Sequence, residues 1–474
     1  MAAKMNNIQL VTQVTMGETG TATLEGVRRY QLGRLNETLT YCKTRSRFYK
    51  KHLSGVLSPL NAWEDFGRIP FTSQEDLREG GMEAFLCVPP GEIRRITTLQ
   101  TSGSTGKPKR IGFTDEDIEG IIRFFDYGMR ELTQSGKKVM NCMPGSRENG
   151  ITDLLAKAMS RFGAVPLIYG SIADPADAAR FVLEQRPGCL TGIPAQILGL
   201  AAYMEKHGLN KETCIESVLL STDYLSESVR NRIERIFNCR IFNHYGSTEM
   251  GYGAALECAA HEGMHLREAE LYFEIVDPDT GAVLPPGQEG EVVFTTLRRT
   301  GMPLVRYRTG DIARFMPDAV CACGSVLPRI TGLRRGDDCE ILLSRGRVTL
   351  QALDEAVFAL EGLTDYTVAI TRAPKLTPAS ESELMRKSKL ASESESESTR
   401  ESKPAPERAI FSFTLWTVDG ETPDGGEWAA VRGRVQAMIP DQALSVEMRV
   451  AAPGAVPPSL QGKRMIEWDG AAAP

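Results

Sequence analysis

Apolar residues recur at helical spacing across residues 22–53, where Leu32, Leu35, Leu39, Cys42, Phe48, Tyr49 and Leu53 predict an amphipathic helical segment that serves packing. Residues 69–77 (IPFTSQEDL) read as an extended stretch followed by a helix start, with Thr72 or Ser73 placed to bond the free N–H groups near Glu75. A helix is expected over 115–132. From residue 138 the pattern alternates: strand VMNCM, helix 151–162, strand AVPLIYG, helix 175–185, strand CLTGIP, then strand 217–220, helix 226–237 and strand 240–243. Such alternation predicts a mostly parallel sheet flanked by helices, with ligands at the carboxyl ends of its strands. Over 272–294 the strands shorten and turn signals appear (DPDTG, PPGQEG), so an antiparallel, β-rich region is expected there.

Glycine and charge cluster in ITGLRRGDD, and a new β/α pattern begins at Cys339, which marks an inter-domain boundary. The smaller region beyond it is interrupted over 379–407 by a Ser/Glu-rich tract that cannot bury enough apolar surface to order itself and reads as a disordered insertion. The fold class expected is α/β. A large N-terminal domain, 1–334, has mixed and parallel β-sheets flanked by helices plus a β-rich subdomain, and a small α+β C-terminal domain occupies 339–474. Length agrees, since 474 residues exceed what one compact core accommodates. A net charge of -6 offers no general attraction to nucleic acid or anionic membrane, so neither is expected as a partner. The first residues, MAAKMNNIQLVTQVTMGE, lack an apolar signal core, and no run of about 18 apolar residues occurs. A cytoplasmic protein is expected. Its ten cysteines are scattered in a large chain, which argues against a disulfide framework.

Candidate chemistry begins at residues 101–109, TSGSTGKPK. Gly103 and Gly106 let the backbone turn N–H groups inward, Thr101, Ser102, Ser104 and Thr105 add donors, and Lys107 and Lys109 supply charge, as a phosphate-holding loop requires. The flanking segments are β-rich, so the expected setting is strand–loop–strand. Pro108 stands where a Walker A loop needs a magnesium-binding hydroxyl, which excludes an ordinary P-loop. A second constellation joins ECAAHEGMH to CACG. Thiolates and imidazole are preferred zinc donors, and Cys258, His261, Cys321 and Cys323 are expected to form a structural zinc site, with His265 as substitute or outer neighbour.

Four further stretches accompany the loop: YGSTE at 245–249, RYRTGD at 306–311, RGDD at 335–338, and a lone lysine, Lys463, in QGKR. In this order and at these separations they resemble the adenylate-forming superfamily of acyl-CoA synthetases, adenylation domains and luciferases, most specifically its phenylacetate:CoA ligase branch. TRSRFYKKHL, IPFTSQEDLRE, LSESVRNRIERIF and EGEVVFTTLRRTGMPLVRYRTGD carry the likeness over about residues 28–350.

The resemblance implies ATP- and magnesium-dependent activation of a small, aromatic carboxylic acid as an acyl-adenylate, followed by transfer to coenzyme A. By that likeness the glycine loop closes over the β- and γ-phosphates, Thr248 bonds the α-phosphate, and Glu249 holds magnesium. Tyr245, followed by Gly246 and Ser247, stacks on adenine, while Asp311 accepts the ribose hydroxyls with Arg335 beside them. Residues 335–338 become a hinge and the small domain becomes mobile. That domain carries Lys463 to the adenylation transition state and Gly346 to the thiol path. The acid pocket is expected from NCMPGSREN, Gly192, Ile193, Pro194 and residues 221–224. Transfer to a non-CoA acceptor, a nucleotide-binding homologue without catalysis, and a homodimer stay open.

Overall fold

The computed structural model describes residues 6–18, 22–60, 62–99, 107–145, 147–317, 320–336, 340–343, 346–372, 409–440, 444–452, 454–461 and 466–469. Two compact units divide the chain, Met1–Asp337 and Asp338–Pro474. The expected insertion at 379–407, part of the expected hinge (337–338) and Lys463 lie outside the described residues, as do Thr101, Ser102, Gly103, Ser104, Thr105 and Gly106.

The first unit opens with helix α1 (Asn7–Met16), where the Asn6 side chain accepts from the N–H groups of Ile8 and Gln9 and Gly17 ends the helix at φ 77. Helix α2 (Leu24–Arg45) buries Val27, Leu35, Leu39 and Cys42 on one side. The expected helical segment over 22–53 is interrupted at Ser46, whose hydroxyl accepts from the Tyr49 N–H and starts a second short helix. Helix α3 (Gln74–Gly80) begins with a reciprocal cap between Ser73 and Asp76. Strands β1 (Arg95–Leu99) and β2 (Lys109–Phe113) pair antiparallel, with Leu99 opposite Lys109. Helix α4 (Asp115–Met129) follows, capped reciprocally by Thr114 and Asp117.

The β/α alternation is then realised as β3 (Lys138–Asn141), α5 (Ile151–Arg161), β4 (Val165–Ile168), α6 (Pro175–Gln185), β5 (Cys189–Gly192), α7 (Pro194–Lys206), β6 (Ser217–Leu220), α8 (Glu227–Phe237) and β7 (Arg240–Tyr245). Strands β4, β3, β5, β6 and β7 lie side by side and parallel. Central strands β5 and β6 are buried at every position, as a sheet covered on both faces demands. Helix α7 has no counterpart in the sequence-based reading. It buries Ala195, Ile197, Leu198, Leu200, Ala201 and Met204, so no polar stripe betrays it.

The sheet does not stop at β7. Strands β8 (Ala255–Glu257), β9 (Met264–Leu266), β10 (Leu271–Val276), β11 (Gly290–Thr296), β12 (Tyr307–Phe315) and β13 (Arg329–Arg335) extend it to eleven strands in the order β10-β11-β12-β13-β9-β8-β7-β6-β5-β3-β4. The antiparallel character begins at the β7–β8 pairing, earlier than residue 272. The chain reverses between those strands through a turn that requires glycine, because a Cβ on Gly246 would sit 2.4 Å from the Tyr252 carbonyl oxygen and Gly251 has φ +75.

The second unit contains the hairpin β14 (Glu340–Leu343) and β15 (Gly346–Thr349), helix α9 (Leu350–Val357), β16 (Leu363–Arg372), β17 (Ala409–Thr417), α10 (Gly425–Met438), β18 (Leu444–Val450) and β19 (Ile466–Asp469). Its four-stranded sheet runs β18-β17-β16-β19 and buries Val368, Ile370, Phe411, Phe413 and Leu415. No helix among the described residues is long and apolar enough to cross a membrane.

Candidate active site

The glycine loop and the YGSTE stretch, 140 residues apart in sequence, meet through one ion pair: Lys109 Nζ stands 2.7 Å from Glu249 Oε1. Lys109 is placed by the β1–β2 register, and Glu249 by the turn that follows β7. The ammonium also donates to Gln74 Oε1 at 3.0 Å, and the Tyr307 hydroxyl donates to the same Glu249 oxygen at 3.3 Å. Burial acts to raise the Glu249 carboxyl, but the Lys109 charge and hydrogen bond outweigh it and hold the group below the usual carboxylate range. The result is a buried carboxylate kept ionised by the first residue of β2. Thr248, half-buried beside it, accepts the Gly251 N–H at 3.0 Å, and the Ser247 carbonyl accepts the Tyr252 N–H at 2.8 Å. Lys107 is exposed.

Tyr245 and Asp311 form the next pair. The phenol donates to Asp311 Oδ2 at 2.8 Å, and burial together with the Asp311 charge pushes it well above the ordinary tyrosine value, so it stays a neutral donor. Asp311 lies opposite Arg335 in the β12–β13 register, and the Arg335 guanidinium is 3.9 Å from Asp223. Strand β12 is pinned at its start by Arg306, which is 2% exposed, has φ 44, and grips Glu274 through two hydrogen bonds of 3.0 and 2.9 Å. Gly346 opens β15 in the second unit.

Behind the end of β7 lies an apolar cleft, whose empty space of about 420 Å³ includes the part open to solvent. Helix α4 supplies Phe124, Phe125 and Met129, helix α5 Ile151 and Leu155, while Met143, Leu219 and Leu256 close it. Of the expected pocket residues, Met143 and Ser221 line this cavity; Gly192, Ile193 and Pro194 do not. His244 also lines it, a residue the sequence-based reading missed although it immediately precedes Tyr245. Successive residues of a strand face opposite sides, so His244 turns to this cavity while Tyr245 turns to Asp311. His244 Nδ1 is 2.8 Å from Ser221 Oγ, and among the described residues Nε2 is buried without a hydrogen-bond partner. Burial lowers the imidazole to about 4.

The expected metal ligands need one correction. Cys258, His265, Cys321 and Cys323 bring their donor atoms within 4.8 Å of one another, whereas His261 is absent from the group. His261 sits at φ 53 in the β8–β9 loop, with its Nδ1 3.5 Å from Glu257 and its ring against Phe242. His265 belongs to β9, and pairing with Arg329 of β13 sets it beside the loop that carries Cys321 and Cys323. Cys258 Sγ is 3.7 Å from Cys321 Sγ, and Cys323 Sγ is 3.4 Å from His265 Nε2. A tetrahedral zinc with Zn–S bonds near 2.3 Å would separate its sulfurs by about 3.8 Å, so the donor set fits.

The sheet passes from parallel to antiparallel at the turn that bears the Lys109-paired Glu249, and residues 87–297 match the family model described as AMP-binding enzyme. The chain is 30% identical over 375 residues to the phenylacetate-coenzyme A ligase of Thermus thermophilus, covering 76% of this chain and 82% of that protein. It is 28% identical over 392 residues to the enzyme of the same name from Escherichia coli, covering 80% and 87%. The chain therefore belongs to the adenylate-forming enzymes, in the phenylacetate:CoA ligase branch. Its fold matches the crystal structure of 2-hydroxyisobutyryl-CoA ligase in the postadenylation state with a TM-score of 0.73 at 20% identity, over 94% of this chain and 90% of that one.

Proposed function

We propose that the protein activates a small aromatic carboxylic acid with ATP and passes the acyl group to coenzyme A. A carboxylate is a poor acyl donor because its leaving group would be oxide. Attack of a carboxylate oxygen on the α-phosphorus releases pyrophosphate and leaves an acyl-adenylate. The thiolate of coenzyme A then displaces AMP. The observation that carries this reading is the Lys109–Glu249 pair, which ties the first residue of β2, at the end of the phosphate-type stretch in sequence, to the YGSTE motif. Phosphoryl chemistry of this kind needs charge neutralisation and positioning rather than covalent help.

In this reading Lys109, Lys107 and the glycine loop hold the phosphates, and Thr248 bonds the α-phosphate. Tyr245 and Asp311 take the nucleoside, with Arg335 alongside. Glu249, ionised and oxygen-bearing, would hold magnesium, which would neutralise phosphate charge. The apolar cavity lined by Phe124 and Phe125 supports an aromatic acid. A hinge at 335–338 and roles for Lys463 and Gly346 belong to the same proposal, supported by the division of the chain between Asp337 and Asp338. Cys258, His265, Cys321 and Cys323 are assigned to a structural zinc, and the reaction to the cytoplasm.

Exchange of labelled pyrophosphate into ATP, with and without phenylacetate, tests the first step, and mass detection of the thioester on adding coenzyme A tests the second. Exchange without thioester would move the acceptor away from coenzyme A. No exchange with any aromatic acid would sink the proposal. Lys109→Met is expected to reduce exchange by about 10²-fold, the usual loss when one positioned donor is removed.

A further inference from the structure

The cavity behind β7 is apolar except at one end, where Ser221 and His244 stand. Ser221 is 4% exposed, and among the described residues its hydroxyl has no partner except His244 Nδ1. A buried hydroxyl proton must be accepted by something, so Ser221 donates and Nδ1 accepts. In neutral imidazole the proton then resides on Nε2. Burial keeps the ring neutral, with its acid form favoured only below about 4. Nε2–H is thus a donor of fixed direction, buried and without a partner among the described residues, on a ring that lines a space otherwise walled by Phe124, Phe125, Met129 and Leu155. An unsatisfied buried donor costs about 1–3 kcal/mol, a cost that a ligand oxygen removes and a methyl group does not.

We propose that His244 is a specificity-determining residue that selects aromatic acids carrying a ring oxygen, a phenolic hydroxyl above all, over acids with the same shape and no acceptor. The inference rests on the acid:CoA ligase reading. Ser221 is the positioning residue, because it sets which imidazole nitrogen carries the proton. The apolar walls hold the ring, and the single donor reads its substituent. Sites that bond a substrate hydroxyl discriminate far more strongly than sites that only measure size.

The test compares kcat/KM for para-hydroxyphenylacetate and para-methylphenylacetate, and for the meta pair, by pyrophosphate release with purified full-length protein. In at least one pair the hydroxy acid is expected to win by about tenfold or more. His244→Leu should erase that preference, His244→Gln should restore part of it because its amide donates, and Ser221→Ala should weaken it by freeing the tautomer. Equal use of both members of each pair by wild type, with ordinary turnover, overturns the inference and leaves the ligase reading standing. A fall of the same factor for both acids in His244→Leu also overturns it, since a structural role would do that. Should His244→Leu fail to fold, the wild-type ratio and Ser221→Ala still decide. Absence of turnover with every acid would overturn the ligase reading and this inference together.

Discussion

Arg306 carries an unusual burden for one side chain. It is 2% exposed, donates to both oxygens of Glu274 and to the carbonyls of Gly67 and Ile69, and lies over the Phe71 ring at 4.1 Å. Burial pushes the Glu274 carboxyl up against the pull of that guanidinium. Removing one partner of such a pair strands the other in the interior, so Arg306→Ala is expected to lower unfolding free energy by about 3–5 kcal/mol. Urea titration would measure it, and a loss under about 1 kcal/mol would refute the account. His244 makes a different statement. Its folded value, about 4, lies below the ordinary histidine value. The unfolded chain therefore binds the proton first, and the stability of the neutral buried ring is complete above about pH 6.5 and drains away as pH falls toward 4. His244→Phe cannot titrate, so the difference in melting temperature between wild type and variant should change across that window. A constant difference would count against burial as the cause. His244 was legible as a residue type one place before YGSTE, but its role was not, because nothing local says which side of β7 faces a cavity.

At the scale of elements, two loops illustrate what pairing adds to spacing. C-x-x-H made His261 the natural fourth ligand. Strand β9, by pairing with β13, presents His265 beside Cys321 and Cys323 instead, while His261 is turned toward Glu257. Metal analysis should then find zinc retained by His261→Ala and lost by His265→Ala and Cys321→Ser, with a lower melting temperature in the latter two. Wild type holding less than about one zinc per two chains, with cysteines kept reduced, would remove the site. Helix α3 announced itself through its cap, since Ser73 was one of the two expected capping residues and pairs with Asp76, whereas the Thr114–Asp117 cap of α4 was not foreseen. Helix α7 did not announce itself, because a helix covered on all sides has no polar face to set its period.

Across the whole molecule, the fold joins a parallel half and an antiparallel half in one eleven-stranded sheet, and the turn between them bears the YGSTE motif. In the second unit, β16 and β17 pair with Arg372 opposite Ala409, so the ends that flank the intervening residues are already neighbours. Deleting 379–407 leaves 373–378 and 408 as the connection, ample for antiparallel strands, which need as few as about two residues. The deletion is expected to leave pyrophosphate exchange within about twofold of wild type, because shortening a loop changes closure entropy only slowly. A loss of about tenfold or more would show that the tract acts in the reaction.

The sequence by itself determined the β/α alternation, the cap before residue 75 and the order of the nucleotide motifs, because these depend on side-chain period and on residues close together in the chain. Tertiary structure alone decided which distant residues meet. It set Lys109 against Glu249, chose His265 over His261, merged two expected sheets into one, and aimed His244 into an apolar cavity. Each of these follows from strand register and burial, which are properties of pairs of segments and are written in no single stretch of the chain.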